Sequence, residues 1–181
     1  MLNKNKQKMY AFIDSQNLNL GVLDMGWKLD FKKFLVYLRD KYKVDKAYLF
    51  IGYVSGNESL YTFLQEVGYI LVHKPTLEYK KKKKKFTKGN VDAELVLHSM
   101  IQIKNYDKAI IVSGDGDFHC LIEYLAKKNK LYKIVIPNNN KYSALLRKYR
   151  KYFVYLHQLK NKIGRENSKN KKRGSSLRTK P

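Results

Sequence analysis

Two observations predict a three-layer α/β fold with a mostly parallel central sheet of five to six strands flanked by helices. Short apolar runs alternate with helical patterns along most of the chain. Strands separated by helices need right-handed crossovers, which make neighbouring strands parallel and place helices on both faces. Several of these runs also end in polar, acid-bearing loops. At the carboxyl edge of an open α/β sheet, such loops are where ligands bind.

Taken in order, Met9 to Ile13 is an apolar run read as the first buried strand, and Asp14-Ser15-Gln16-Asn17 is a polar loop at its end. Phe31, Phe34, Leu35 and Leu38 have the i, i+3, i+4, i+7 spacing of a helix over 31–42, with Asp30 as its N-cap. Residues 46–54 form a second strand, Ser59 to Glu66 a short helix closed by Gly68, and Tyr69 to His73 a third strand stopped by Pro75. Six consecutive lysines, Lys80 to Lys85, repel one another and are expected to stay unordered without a partner. A helix from Val91 to Ile103 follows, with Asn90 as its cap, and Lys108 to Val112 is the fourth strand. Beyond the loop 113–118 come a helix from His119 to Lys128, a strand from Tyr132 to Ile136, a short helix from Ser143 to Tyr149, a strand at Phe153 to Tyr155 and helical turns to Ile163.

A chain of 181 residues with 44% hydrophobic residues supports one domain with a real core. Residues 1–159 are read as that domain, with a lysine-rich loop at 79–88, and residues 160–181 as a basic tail with too little to bury to be ordered. No apolar run reaches membrane-span length and Met1 to Lys8 carries no signal-peptide pattern, so a soluble cytoplasmic protein without a membrane partner is expected. The single cysteine, Cys120, excludes an intrachain disulfide and a cysteine-rich zinc site, and is read as a small core residue. Thirty-eight basic residues against 15 acidic ones give a net charge of +23. A polyanion such as nucleic acid or the ribosome is the expected partner, and a lysine-rich compositional drift is the competing account.

Against that charge, four carboxylates fall at comparable places. Asp14 ends the first strand, Asp115 and Asp117 lie just past the fourth, and Asp92 sits in the first turn of the helix that feeds the fourth. Asn17, three residues after Asp14, is within reach of the same space. Carboxylates brought together must repel one another or share a cation, and an all-oxygen set suits Mg²⁺ or Mn²⁺. Each residue also has a local alternative. Asp14 could cap a turn, Asp92 could favour the positive end of its helix, and Asp117 could cap the helix it precedes.

Phe12-Ile13-Asp14-x-x-Asn17, Lys88-Gly89-Asn90-Val91-Asp92 and Ser113-Gly114-Asp115-Gly116-Asp117-Phe118 resemble, as an ordered set, the three motifs of NYN domains, the LabA-like branch of the PIN-like nucleases. The resemblance runs from about Met9 to Leu156. It implies a PIN-like, Rossmann-like parallel sheet, a divalent metal at the acidic cluster and hydrolysis of RNA. Carried over by position, Asp14, Asp92, Asp115 and Asp117 are the implied metal-site and catalytic carboxylates, supported by Asn17 and Ser113. The sequence departs from the pattern at His98, where many members of the family have a further aspartate; the residue is read as polar on a half-buried helix face. Affinity for single-stranded or structured RNA is assigned to Lys80, Lys81, Lys82, Lys83, Lys84, Lys85 and Lys88, whose charges neutralise phosphates without reading bases.

Other chemistries lack their residues. There is no Gly-x-x-x-x-Gly-Lys-Ser/Thr loop for a nucleotide, and Gln16 stands where an aspartyl phosphotransferase would be expected to have a second aspartate. A metal-dependent ribonuclease is the expected function, with a non-catalytic RNA- or ribosome-binding module on the same fold as the alternative.

Overall fold

In the computed structural model, which describes residues 7–75, 77–81, 84–88 and 91–166, six strands form one sheet in the order β3-β2-β1-β6-β7-β8. These are β1 (Met9–Asp14), β2 (Val44–Tyr53), β3 (Ile70–Pro75), β6 (Lys108–Val112), β7 (Leu131–Ile136) and β8 (Phe153–Tyr155). Every pairing within it is parallel. The alternating β1 side chains feed two cores. Met9, Ala11 and Ile13 pack with helices α1 (Ser15–Asp24), α2 (Phe31–Tyr42) and α3 (Glu58–Val67). Tyr10 and Phe12 pack on the other face with α4 (Asp92–Ile101) and α5 (His119–Lys127). Burial on both faces explains why these strands read as continuous apolar runs and not as alternating ones.

The chain departs from its sequence-based description at four places. The polar stretch after Asp14 is the start of helix α1, not a loop. Ser15, Leu18 and Val22 are its only buried residues, a stripe too narrow to stand out among Asn, Gln and Gly. Pro75 closes β3 inside the sheet and not beyond it; β3 is an edge strand, where proline is tolerated.

The lysine-rich segment, expected as an unpaired loop, instead carries an antiparallel pair, β4 (Leu77–Lys81) with β5 (Lys84–Lys88). Strand-favouring residues flank the lysines in sequence and set this pairing against their charge repulsion. Lys82, Lys83 and the expected cap Asn90 lie outside the described residues. Finally, the packed body runs past the boundary read at Lys160. Helix α6 (Lys160–Ile163) buries Ile163, the Asp30 N–H donates to the Ile163 carbonyl at 2.8 Å, and Lys33 pairs with Glu166 at 2.9 Å.

The strand order reverses between β1 and β6, which leave the sheet's midline in opposite directions. Side chains just beyond their carboxyl ends therefore line a crevice that the topology itself leaves open.

Candidate metal centre

Asp14, the last residue of β1, is 4% exposed and stands at that crevice. Its Oδ1 accepts a hydrogen bond from the Asn17 N–H at 3.0 Å, which makes it the N-cap of α1. Its Oδ2 accepts from the Ser113 hydroxyl at 3.3 Å, across the β1–β6 boundary. The Ser113 Oγ in turn accepts from the Asp115 N–H at 3.1 Å, and the Asn17 Oδ1 from the Gly114 N–H at 2.9 Å. The loop after β6 is thus fastened to the start of α1 and the end of β1 by the side chains of Asn17 and Ser113.

Asp115 accepts from the Asp117 N–H at 3.1 Å and so caps the short 3₁₀ turn Gly116–Phe118. Asp117 is not the cap of the helix that follows: the N-cap of α5 is Phe118, with no side-chain bond. With its carboxylate free of capping duty, Asp117 joins Asp92 and Asp115 in a group whose ligand oxygens all lie within 4.8 Å of one another. Asp14 lies outside that group, but the negative charges of Asp92 and Asp115 act on it. Burial above all pushes the Asp14 carboxyl up to about 6, and those two charges add to the rise. The Asn17 N–H and the Ser113 hydroxyl oppose it.

The residues present fit a hard divalent cation. Three carboxylates offer oxygen at a common point, and no softer ligand joins them among the described residues. The ring of His98 packs edge-on against Phe50, with centroids 5.8 Å apart, in keeping with a half-buried helix face. Cys120, expected in the core, is exposed on α5. The lysines assigned to RNA fall on the β4–β5 pair or outside the described residues.

Sequence reading missed the third wall of the site. Asp115 and Asp117 open into a cleft of about 420 Å³ that Lys141, Tyr142 and Ser143 close from the other side. The Ser143 N–H donates to the Gly114 carbonyl at 2.9 Å. A Cβ on Gly116 would come within 2.9 Å of the Ser143 Cβ, so only glycine admits this approach. The signal available in the sequence was the polar run Asn138 to Lys141 at the carboxyl end of β7, one more loop on the same edge.

The wholly parallel six-stranded sheet, flanked by helices and with carboxylates gathered over its switch point, is an α/β fold of the PIN-like type. The NYN domain family model matches residues 8–157, and the chain belongs to that family. It is similar to the low amplitude and bright protein LabA of Synechococcus elongatus, with 26% identity over 135 residues that make up 71% of this chain and 73% of that protein. Its fold resembles the crystal structure of a protein of unknown function from Vibrio parahaemolyticus, with a TM-score of 0.70 at 20% identity, over 91% of this chain and 100% of that one.

Proposed function

We propose that the protein is a divalent-metal-dependent ribonuclease that hydrolyses RNA phosphodiester bonds in the cytoplasm. The convergence of Asp92, Asp115 and Asp117 to within 4.8 Å carries this reading, because like charges brought that close repel one another unless they share a cation. Those three would hold Mg²⁺ or Mn²⁺. When bound, such an ion supplies Lewis-acid polarisation of a phosphoryl oxygen and a nucleophile from water at neutral pH.

The chain's own residues set the geometry. Asn17 and Ser113 fix the loop that carries Asp115 and Asp117, and Asp14, its carboxyl raised to about 6, contributes negative charge at neutral pH. Lys141 at the cleft wall is exposed, and its ion pair with Asp24 at 2.9 Å is solvent-facing and weak. It is therefore available to a phosphate entering the cleft.

His98 packs its ring against Phe50 and is not one of the grouped ligands, which favours one second reading, a non-catalytic RNA-binding module. A single assay separates the two. End-labelled RNA is incubated with the protein in Mn²⁺, in Mg²⁺ and in EDTA, with Asp115→Asn as the control. Cleavage that needs metal and is lost in Asp115→Asn, with RNA binding retained, is the expected result. Retained binding without cleavage in any metal would assign the protein as a binder.

A further inference from the structure

A second cavity, of about 260 Å³, opens beside the cluster on the β2 side, and two chain connections make it a neighbour of the carboxylates. Ser15 and Gln16 in its lining directly follow Asp14, and Val91 directly precedes Asp92. Its walls are Phe50 and Tyr61, both buried, and its polar groups include the side chains of Gln16 and Asn57. None of the described residues lining it is charged.

These properties select the ligand. A pocket for phosphate would need cations or a nest of N–H groups. A pocket with apolar walls and amide side chains that both donate and accept suits a nucleobase, whose faces are apolar and whose edge is read by hydrogen bonds. Its volume falls below the roughly 300–1,000 Å³ typical of pockets that enclose a whole ligand, so it fits one base and not a complete nucleotide.

The pocket is also preformed. The Tyr61 hydroxyl accepts from the Val54 N–H at 2.8 Å and lies 3.4 Å from the Gly52 carbonyl. Glu58 accepts from the Gly56 N–H and from the Tyr53 hydroxyl, each at 3.1 Å, which fixes the turn at the rim. Asn57 occupies the N-cap position of α3 yet makes no capping bond, so its amide is not committed to the helix.

Resting on the nuclease reading, we infer that this cavity receives one unpaired base of the RNA substrate, placing the phosphate attached to that nucleotide over Asp92 and Asp115. Cleavage would then occur at a fixed distance from a preferred base in single-stranded RNA, with Gln16 and Asn57 as specificity-determining residues.

The test compares the full chain with Asn57→Ala and Gln16→Ala, each checked for an unchanged melting temperature. Binding of labelled oligo(A), oligo(C), oligo(G) and oligo(U) RNA hexamers is measured in EDTA, and cut sites in a random-sequence RNA are mapped in Mn²⁺. One hexamer is expected to bind tighter than the rest, with that preference reduced about fivefold in either variant, the effect of losing one net hydrogen bond. The same base is expected at a constant position beside the cuts, and less strictly so in the variants. Cleavage without a base bias, or with a bias that both variants keep, would overturn the pocket assignment and leave the nuclease reading standing. A hexamer preference that the variants lose, in a protein that never cleaves, would do the reverse. Equal binding of all four hexamers together with unbiased or absent cleavage would remove the base pocket.

Discussion

The Asn17 Oδ1 accepts the Gly114 N–H at 2.9 Å, joining the first turn of α1 to the loop after β6 across 97 residues of sequence. The bond ties the segment that carries Asp14 to the segment that carries Asp115. Asn17 follows Asp14 by one turn, and Gly114 precedes Asp115.

Asn17→Ala leaves the buried Gly114 N–H without its acceptor, an omission that costs about 1–3 kcal/mol. Urea denaturation should show a loss in that range, and Mn²⁺ affinity should fall as the 113–117 loop loosens. Unchanged stability and unchanged Mn²⁺ affinity would show that the bond positions nothing.

Asp14 predicts a pH dependence with a defined sign. Its carboxyl rises from the ordinary 3.8 to about 6 in the folded protein, chiefly through burial, so folding favours the protonated form. Its contribution is fully present below pH 3.8 and is lost as pH rises through about 6. A rise of this size corresponds to about 3 kcal/mol at most. In EDTA, Asp14→Asn, which can still accept at the α1 cap, should therefore be more stable than the parent by about 1–3 kcal/mol at pH 8, with the gain vanishing near pH 4. Equal stability of the two proteins in denaturant at pH 8 would contradict the strain assigned to this carboxylate.

Metal should act in the opposite sense on the parent. An ion that binds only the folded state adds stability by mass action, about 2.7 kcal/mol at a hundredfold excess over its dissociation constant. The melting temperature should rise across millimolar Mn²⁺ at constant ionic strength, and should rise less in Asp115→Asn and Asp117→Asn. A flat titration of the parent would count against a preformed site.

Much of the fold is legible in the sequence. The strands announce themselves because both their faces are buried, and Asp14, Asp92, Asp115 and Asp117 stand at motif spacings that chain order alone preserves. Helix α1 was hidden because only Ser15, Leu18 and Val22 face inward among amides and a glycine. The wall at Tyr142 and Ser143 was hidden for another reason. It reaches the site through the close approach of Gly116 to Ser143, a contact between distant parts of the chain that no local pattern encodes. The exposure of Cys120 depends likewise on which way α5 turns against the sheet.

The lysines between Glu78 and Gly89 predict a salt effect. For single strands, log K falls with log salt by about 0.7 for each phosphate neutralised. Replacing Lys80 to Lys85 by serine should flatten the slope for RNA by up to about four, while turnover at saturating RNA changes far less. An identical slope in the two proteins would mean that this segment never meets RNA.

The position of β1 has a consequence during synthesis. It is made first yet lies in the middle of the sheet, and its β6 side stays unpaired until residues 108–112 have emerged. Asp14 waits still longer for Asp115 and Asp117. Non-local pairing of this kind folds slowly. On the proposed function, a nascent chain would carry no cutting centre beside the ribosomal RNA until Asp115 and Asp117 had been translated. Ribosome-bound chains stalled before residue 108 should bind no more Mn²⁺ than empty ribosomes, and those carrying the whole sheet clear of the exit tunnel should bind it as the free protein does.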